Sequence, residues 1–420
     1  MNTLRKLGLW IFSACSEAAF GLLIHLGLVR FAVAQYEVGD PGVNEVYGQD
    51  TYTQAVNATT IFNPKFGLWG PPKSGKPFVL HNDFSVKSGR RITCRLLGPH
   101  ISDGYTGDAD MTGLETGLGL EEYDWEISTV KNRPLGIADE EDQQAVSWDL
   151  VDSYKDAHAE WGARILEAGA HMHMAGATFQ DDVDYYRPNG AKIRANIQGL
   201  PGVHPHTYSW NNATTVPSSG RLLIASEQAN AQALTSSHTF SVADLNRMVD
   251  TAQTTNPPML PCLVFGTRAW LVFVHTNAWS SFVEQSGHYD AINQATLQGG
   301  LDPKKSIYQT GNLTPWRNCI FIQSIWNPPA QNSSTAVALA NTRVAYLVGQ
   351  NALVCGYGKG HKKARMKWRE DRYNVTSAYR CQVSMLYGGR KVTWTDPDDN
   401  STRDNAVVAL AHYAANTGDA

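Results

Sequence analysis

The strongest constraint on the fold lies between Trp148 and Gly169. There Trp148, Val151, Tyr154, His158, Trp161, Ile165 and Gly169 recur at spacings of three and four. That rhythm places them on one face of an α-helix. The pattern predicts a helix of about 25 to 30 residues, well beyond the ~11 to 12 residue mean. Asp139, Glu140, Glu141 and Asp142 precede it, where the macrodipole of a helix amino terminus favours negative charge. A helix this long, in a chain otherwise made of short extended segments, can act as a spine for sheets.

Upstream, FSVKSGRRITCRLL (84–97) and EEYDWEISTV (121–130) read as strands. In the second, Tyr123, Trp125, Ile127 and Thr129 alternate with polar residues. The glycine-rich stretch between them predicts a long two-stranded ribbon with a flexible tip, which is marginal alone and needs a surface to lie on. Tyr36 to Pro77 is rich in Gly, Pro, Asn and Thr and reads as an extended arm and loops. Gln180 to Pro217 also reads as loop.

Ser241 with Asp244 three residues on predicts a capped helix through Leu245, Met248, Val249 and Ala252, stopping before Asn256-Pro257-Pro258. Pro261 to Phe265, Ala269 to His275, Cys319 to Ile325 and Arg343 to Val348 read as strands, with a short helix near Ala278 to Gln285. From Lys363 to Arg369 the alternation is strict: Arg365, Lys367 and Arg369 point one way, Ala364, Met366 and Trp368 the other. Tyr379 to Leu386 and Lys391 to Trp394 read as a hairpin turning at Gly388-Gly389. The sum is an α+β fold.

Charged residues make up only 18% of the 420, against about 25% in ordinary soluble chains. With 12 Trp and 17 Tyr, this fits a chain that hides surface against partners. A net charge of -4 argues against a protein that condenses nucleic acid by neutralising phosphates. The cysteines Cys15, Cys94, Cys262, Cys319, Cys355 and Cys381 show no zinc spacing and read as free, buried thiols.

No chemical motif survives inspection. Gly70 to Lys76 has P-loop spacing, but Pro77 stands where the magnesium-binding hydroxyl belongs, and Pro71 and Pro72 lack backbone donors. Asp108-Ala109-Asp110 opens like an EF-hand loop, yet Gly119 occupies the position of the bidentate glutamate. His171, His173, His204 and His206, with Asp181, Asp182 and Asp184 between the pairs, match no metal template. The basic run Lys359, Lys362, Lys363, Arg365, Lys367, Arg369 and Arg372 reads as a solvated strand face or an ion-pair partner for a neighbour's acidic patch. No catalytic, cofactor-binding or metal-binding residue is expected, and no cofactor.

One alternative rests on the amino terminus. Arg5 and Lys6, the apolar run Ala18 to Val29, and Ala32-Val33-Ala34 imitate a cleaved signal peptide, although Glu17, His25 and Arg30 interrupt or flank the run. Sequons at Asn57, Asn212, Asn312, Asn332, Asn374 and Asn400 would then suit a secreted glycan- or protein-binding glycoprotein. No second long apolar run follows, so no membrane span is expected.

Three blocks taken together resemble a known family. They are SGRRITCRLL through GYTGDADMTGLETGLGLEEYDWEISTVKNRPLGI; DEEDQQAVSWDLVDSYKDAHAEWGARILEAGAHMHMAG; and LPCLVFGTRAWLVFVHTNAW with NCIFIQSIWNP, ALANTRVAYLVGQNALVCGYGK, KARMKWREDRYN and MLYGGRKVTW. In pattern and order they are similar to the major capsid proteins of tailed bacteriophages, of the group typified by a coliphage that packages its own RNA polymerase.

That resemblance implies the Hong Kong 97-like fold, divided as an amino-terminal arm (1–83), an extended hairpin loop (84–130), a peripheral domain with the spine helix (131–185), an axial domain (186–350) and strands returning to the peripheral domain (351–420). It implies a non-enzymatic coat subunit that self-assembles into pentamers and hexamers of an icosahedral head. The shell encloses double-stranded DNA without sequence-specific binding, and portal, scaffold and decoration proteins are further candidate partners. The expected location is the virion, after assembly in the host cytoplasm. The first 34 residues and the loops of 180–217 have no counterpart in the family.

Overall fold

The structure, a computed structural model, describes residues 41–81, 90–97, 120–132, 134–137, 150–178, 210, 212–255, 258–264, 266–285, 316–358, 365–372, 379–395 and 401–415. The chain divides into two units, Met1–Val43 and Asn44–Ala420, and nearly all described residues lie in the second. The signal-like segment, the acidic cluster Asp139 to Asp142, the ribbon tip and His204 and His206 lie outside the described residues. Among the described residues, no helix is long and apolar enough to cross a membrane.

The first helix, α1 (Pro41–Ala58), corrects the reading of Tyr36 to Pro77 as loop. Its buried residues include Gly48, Thr51, Ala55 and Val56. A face built partly from glycine, threonine and alanine carries little hydrophobic periodicity. It is small because α1 lies close to a strand: a Cβ at Gly48 would stand 2.4 Å from the carbonyl oxygen of Met366.

Six strands follow: β1 (Trp69–Gly70), β2 (Phe78–His81), β3 (Arg91–Leu97), β4 (Leu120–Glu126), β5 (Ser128–Lys131) and β6 (Leu135–Ile137). The predicted spine is α2 (Leu150–Ala175), 26 residues long. Its first half is amphipathic, as the spacing required, but every residue from Ile165 to Ala177 is buried. A helix buried on all sides sits between layers rather than on one.

Then come β7 (Leu222–Ile224), α3 (Val242–Thr254), β8 (Cys262–Val264), β9 (Thr267–His275), α4 (Thr276–Val283), β10 (Cys319–Ser324) and β11 (Thr342–Val348). The predicted cap on α3 is present: the Ser241 side chain accepts from the Asp244 amide at 3.1 Å. The remaining strands are β12 (Leu353–Tyr357), β13 (Met366–Arg372), β14 (Tyr379–Lys391), β15 (Thr393–Thr395), β16 (Thr402–Asp404) and β17 (Val407–Tyr413).

Two sheets carry most of these strands. Sheet one runs β1-β2-β12-β14-β13, with β5 and β6 along the other edge of β14. Sheet two runs β10-β9-β11-β17-β7, with β8 paired to β9. Within 351–420, β12, β13 and β14 join sheet one whereas β17 joins sheet two. The sequence of β17, VVALAHY, is buried almost throughout, as a strand covered on both faces must be.

Trp210, fully buried, packs where the helix meets sheet one. Its indole nitrogen donates to the Leu166 carbonyl at 3.1 Å, and a Cβ at Gly169 would lie 2.1 Å from its ring. Burying one such ring is worth at most about 4 to 6 kcal/mol of transfer free energy.

Strand β14 corrects the expected hairpin at Gly388-Gly389, because it runs straight through both glycines. They mark close packing instead of a turn. A Cβ on Gly388 would stand 2.0 Å from the Glu126 carbonyl, and one on Gly389 2.4 Å from the Val354 carbonyl and 2.6 Å from Trp210.

Candidate functional site

The glycine-lysine segment at 70–76 is a turn between β1 and β2, followed by a strand instead of a helix, so no helix amino terminus faces a phosphate. Its carbonyls serve the fold: that of Gly75 accepts from Leu263 and that of Lys76 from Asn351. The EF-hand-like residues lie outside the described part. His171 and His173 are buried in α2, and among the described residues no three His, Cys, Asp or Glu side chains converge as metal ligands.

The notable construction is the ribbon base. Strands β3 and β4 pair antiparallel from Arg91 opposite Glu126 to Leu97 opposite Leu120, as a two-stranded sheet apart from the others. Tyr123 and Trp125 point inward with Cys94 and form a small core with Ile127, Val354 and Val392. The Trp125 indole donates to the Cys94 sulfur at 3.4 Å, and the same sulfur lies 3.6 Å from His81 Nε2. Burial raises the Tyr123 hydroxyl far above its ordinary pKa, keeping that core uncharged.

The alternation breaks after Ile127, so Thr129 is exposed and Val130 buried. The chain leaves the ribbon there and joins sheet one as β5, with Val130 opposite Met385. Asn212 and Arg390 clamp the junction. The Asn212 side chain accepts from the Glu126 amide at 2.8 Å and donates to the Glu126 carbonyl at 2.9 Å and the Gly389 carbonyl at 3.0 Å. Arg390 donates to the Asp124 carbonyl at 2.8 Å. The nitrogen that a glycan would need at this sequon is therefore engaged in the fold.

Sheet one has two faces of different character. Odd-numbered residues of β14 face α2: Cys381 lies 3.5 Å from His158, and Val383 and Met385 are fully buried. Even-numbered residues face away. At the β2–β12 end this outer face carries the ribbon base, through His81 and Val354. At the β13–β14–β5 end it is open, and Lys131, Lys367, Arg369 and Arg380 are exposed on it. Lys367 and Lys131 flank Ser384 in one row. The expected alternation holds from Met366 to Arg369, with Met366 and Trp368 inward and Lys367 and Arg369 outward, but Arg365 departs from it: its guanidinium donates to the Tyr52 hydroxyl at 3.1 Å and lies over the Tyr357 ring.

Polar groups inside the body tie its parts together. Glu167, 1% exposed, accepts from the Thr60 amide at 3.2 Å and the Ile61 amide at 3.2 Å. It faces His171 at 3.5 Å, whose ring also meets the Tyr346 hydroxyl and the Ser324 hydroxyl at 3.1 Å. One turn of α2 thereby grips the chain after α1 and two strands of sheet two. Burial holds the His171 pKa below its usual value despite the glutamate.

A second tie is the buried pair Lys391–Asp404, 2.8 Å apart. Lys391 donates to the Thr215 carbonyl at 3.1 Å, and Asp404 accepts from the Ser218 amide at 3.1 Å. Sequence inspection missed both ties. Their signal was a charged residue in an apolar register, Glu167 within ILEAGAHMHMA and Lys391 on the inward parity of β14. The expectation of free, buried cysteines holds for all five described ones.

The model of a family described as phage capsid protein matches residues 55–416. A search of the curated proteins finds no match. Among solved structures, the fold is similar to the capsid of Ralstonia phage GP4, with a TM-score of 0.63 at 16% identity over 84% of this chain and 90% of that one. It is also similar to the cyanophage Pam1 capsid, with a TM-score of 0.59 at 14% identity over 85% and 93%. The head of Helicobacter pylori bacteriophage KHP40 gives 0.56 at 13% identity over 85% and 92%.

Proposed function

Because the chain belongs to the phage capsid protein family, a family of structural proteins rather than enzymes, we propose that it closes an icosahedral head from pentamers and hexamers of itself. Its fold is the Hong Kong 97-like capsid fold, and it is a self-assembling coat subunit of the virion shell. The observation that carries the reading is the extent of the family match, which takes in the ribbon base, the spine helix and both sheets.

The mechanism is assembly. A heterologous contact repeated around a ring closes an oligomer, and small changes of tilt let one fold serve rings of different size. Each contact can be weak when many act together. On this reading 84–130 is the extended loop, 131–185 the peripheral domain and 186–350 the axial domain; of the expected arm 1–83, α1, β1 and β2 build into the body instead, and the strands of 351–420 are shared between the two sheets. The shell assembles in the host cytoplasm and then encloses double-stranded DNA, with portal, scaffold and decoration proteins as candidate partners.

Trimming Gly98 to Leu120 to a short turn tests the proposal. The base core around Trp125 stays intact, so the variant should be soluble and melt as the parent does, yet give no shells by electron microscopy. Normal particles from the trimmed chain would overturn it.

A further inference from the structure

The two ends of sheet two differ in shape and in charge. Leu263 of β8 stands opposite Arg268 at the start of β9, and Ser324 of β10 stands opposite His275 at its finish. From Arg268 to His275 the strand spans about 23 Å.

The starting end projects apolar side chains. Leu260 is 61% and Leu263 39% exposed, within a stretch, residues 251–267, that carries no charged side chain. The charges beside them are positive. Arg268 is exposed opposite Leu263, and Lys73 is exposed in the turn whose Gly75 carbonyl accepts from the Leu263 amide. Neither cation makes an ion pair among the described residues.

The finishing end is hollow. Just beyond Ser324 the chain turns through Trp326, and a groove of about 500 Å³ opens between Trp326, α1 and α2. Ala58, Ala159 and Ala163 give it an apolar lining, with Asp156 and Glu160 among its charged residues. Glu160 pairs with Arg164 at 2.6 Å, whereas Asp156 makes no ion pair among the described residues. Residues 325–342 are again free of charge.

A single exposed leucine needs no explanation. Two of them in a charge-free stretch, matched in character and opposite in flanking charge to a hollow at the far end of the same sheet, do. Loss of charge at the centre with a polar rim is the pattern of a protein interface. Projection and hollow lie too far apart to meet within one copy, and two unlike surfaces on one subunit make a heterologous contact.

We propose that the Leu260–Leu263 projection of one copy seats in the Trp326 groove of the next, with Arg268 and Lys73 beside Asp156 and Glu160. The inference rests on the coat-subunit reading and adds to it the two surfaces of a head-to-tail contact. The flanking charges orient the approach more than they strengthen the complex.

Placed thiols test it. The five described native cysteines are buried, whereas Leu263 and Ala58 are exposed, so Leu263→Cys and Ala58→Cys each add a reachable thiol without disturbing the core. Shells of a chain carrying both, treated with a short bismaleimide, should run on a denaturing gel as a ladder of linked copies. Each single variant should run as the parent treated alike, and the two single variants mixed before assembly should stop at linked pairs. Separately, Leu260→Asp/Leu263→Asp should keep the circular dichroism and melting temperature of the parent and form no shells by electron microscopy.

Shells of the doubly substituted chain that yield no ladder, or shells from the aspartate variant, would overturn the inference. Linked pairs from Leu263→Cys alone would also overturn it, since they would mean a twofold contact between like surfaces. In each of these results the shells themselves stand, so the coat reading survives; failure of the parent chain to form any shell would remove that reading instead.

Discussion

At the scale of single residues, the Lys391–Asp404 pair is the most consequential interaction in the body. Both side chains are within 2% of complete burial, so each is tolerable only because the other and the surrounding peptide groups replace water. Removing one partner strands the other. Asp404→Ala should therefore lower stability by roughly 3 to 5 kcal/mol, read as a fall in melting temperature. Replacing both together by Met and Leu should recover most of that loss, because the unpaired charge is gone. A single variant that melted with the parent would mean that water reaches the site.

At the scale of elements, Gly388 decides whether the ribbon can seat. The Glu126 carbonyl occupies the space of a side chain there, and both contacting groups belong to strands that cannot easily yield. Gly388→Val should lift the ribbon base from sheet one at a cost of about 1 to 3 kcal/mol, the usual range for overpacking. The readout is Trp125, buried in the base core, whose fluorescence should shift to the red on exposure while the far-ultraviolet spectrum is retained. An unchanged spectrum would show that the backbone gives way.

This position also marks the limit of what the sequence discloses. Glycine doublets read as turns by composition, yet here a strand on another layer demands the missing side chain. Long elements with a clear period were legible: α2, the capped α3, the β3–β4 ribbon, and β13 with its sorted faces. The helix α1 was not, because its buried face is built largely from small residues chosen for a close approach. The basic run was legible as an outward row but not as a cluster, since Lys131 comes to it from a strand far away in sequence. The two buried ties escaped because a charged residue in an apolar register is recognised only once its partner is in place.

At the scale of the whole molecule, both sheets are built around neutral histidines. Burial lowers His158 beside sheet one to about 4 and His412 in sheet two to about 4. Burial, with Arg343, His412 and His171 nearby, lowers His275 at the end of β9 to about 3. A histidine whose folded pKa lies below its unfolded value of about 6.5 binds its proton more readily in the unfolded chain. The stabilisation is thus complete above pH 6.5 and is lost as the pH falls toward 4, at up to about 1.4 kcal/mol per pH unit for each group. Thermal melts should be level near neutrality and drop steadily below pH 6. His412→Phe should flatten that slope, and a melting temperature equal at pH 7 and pH 4.5 would contradict the account.

The position of β17 carries a last consequence. It lies between β11, to which it pairs antiparallel, and β7, to which it runs parallel, although β7 is synthesised far earlier. Until Val407 to Tyr413 has left the ribosome, sheet two ends at β11, and β7 has no strand to pair with. A nascent or broken chain therefore lacks the finished wall on which neighbours must close. The order of synthesis itself inspects each copy before it can enter a particle.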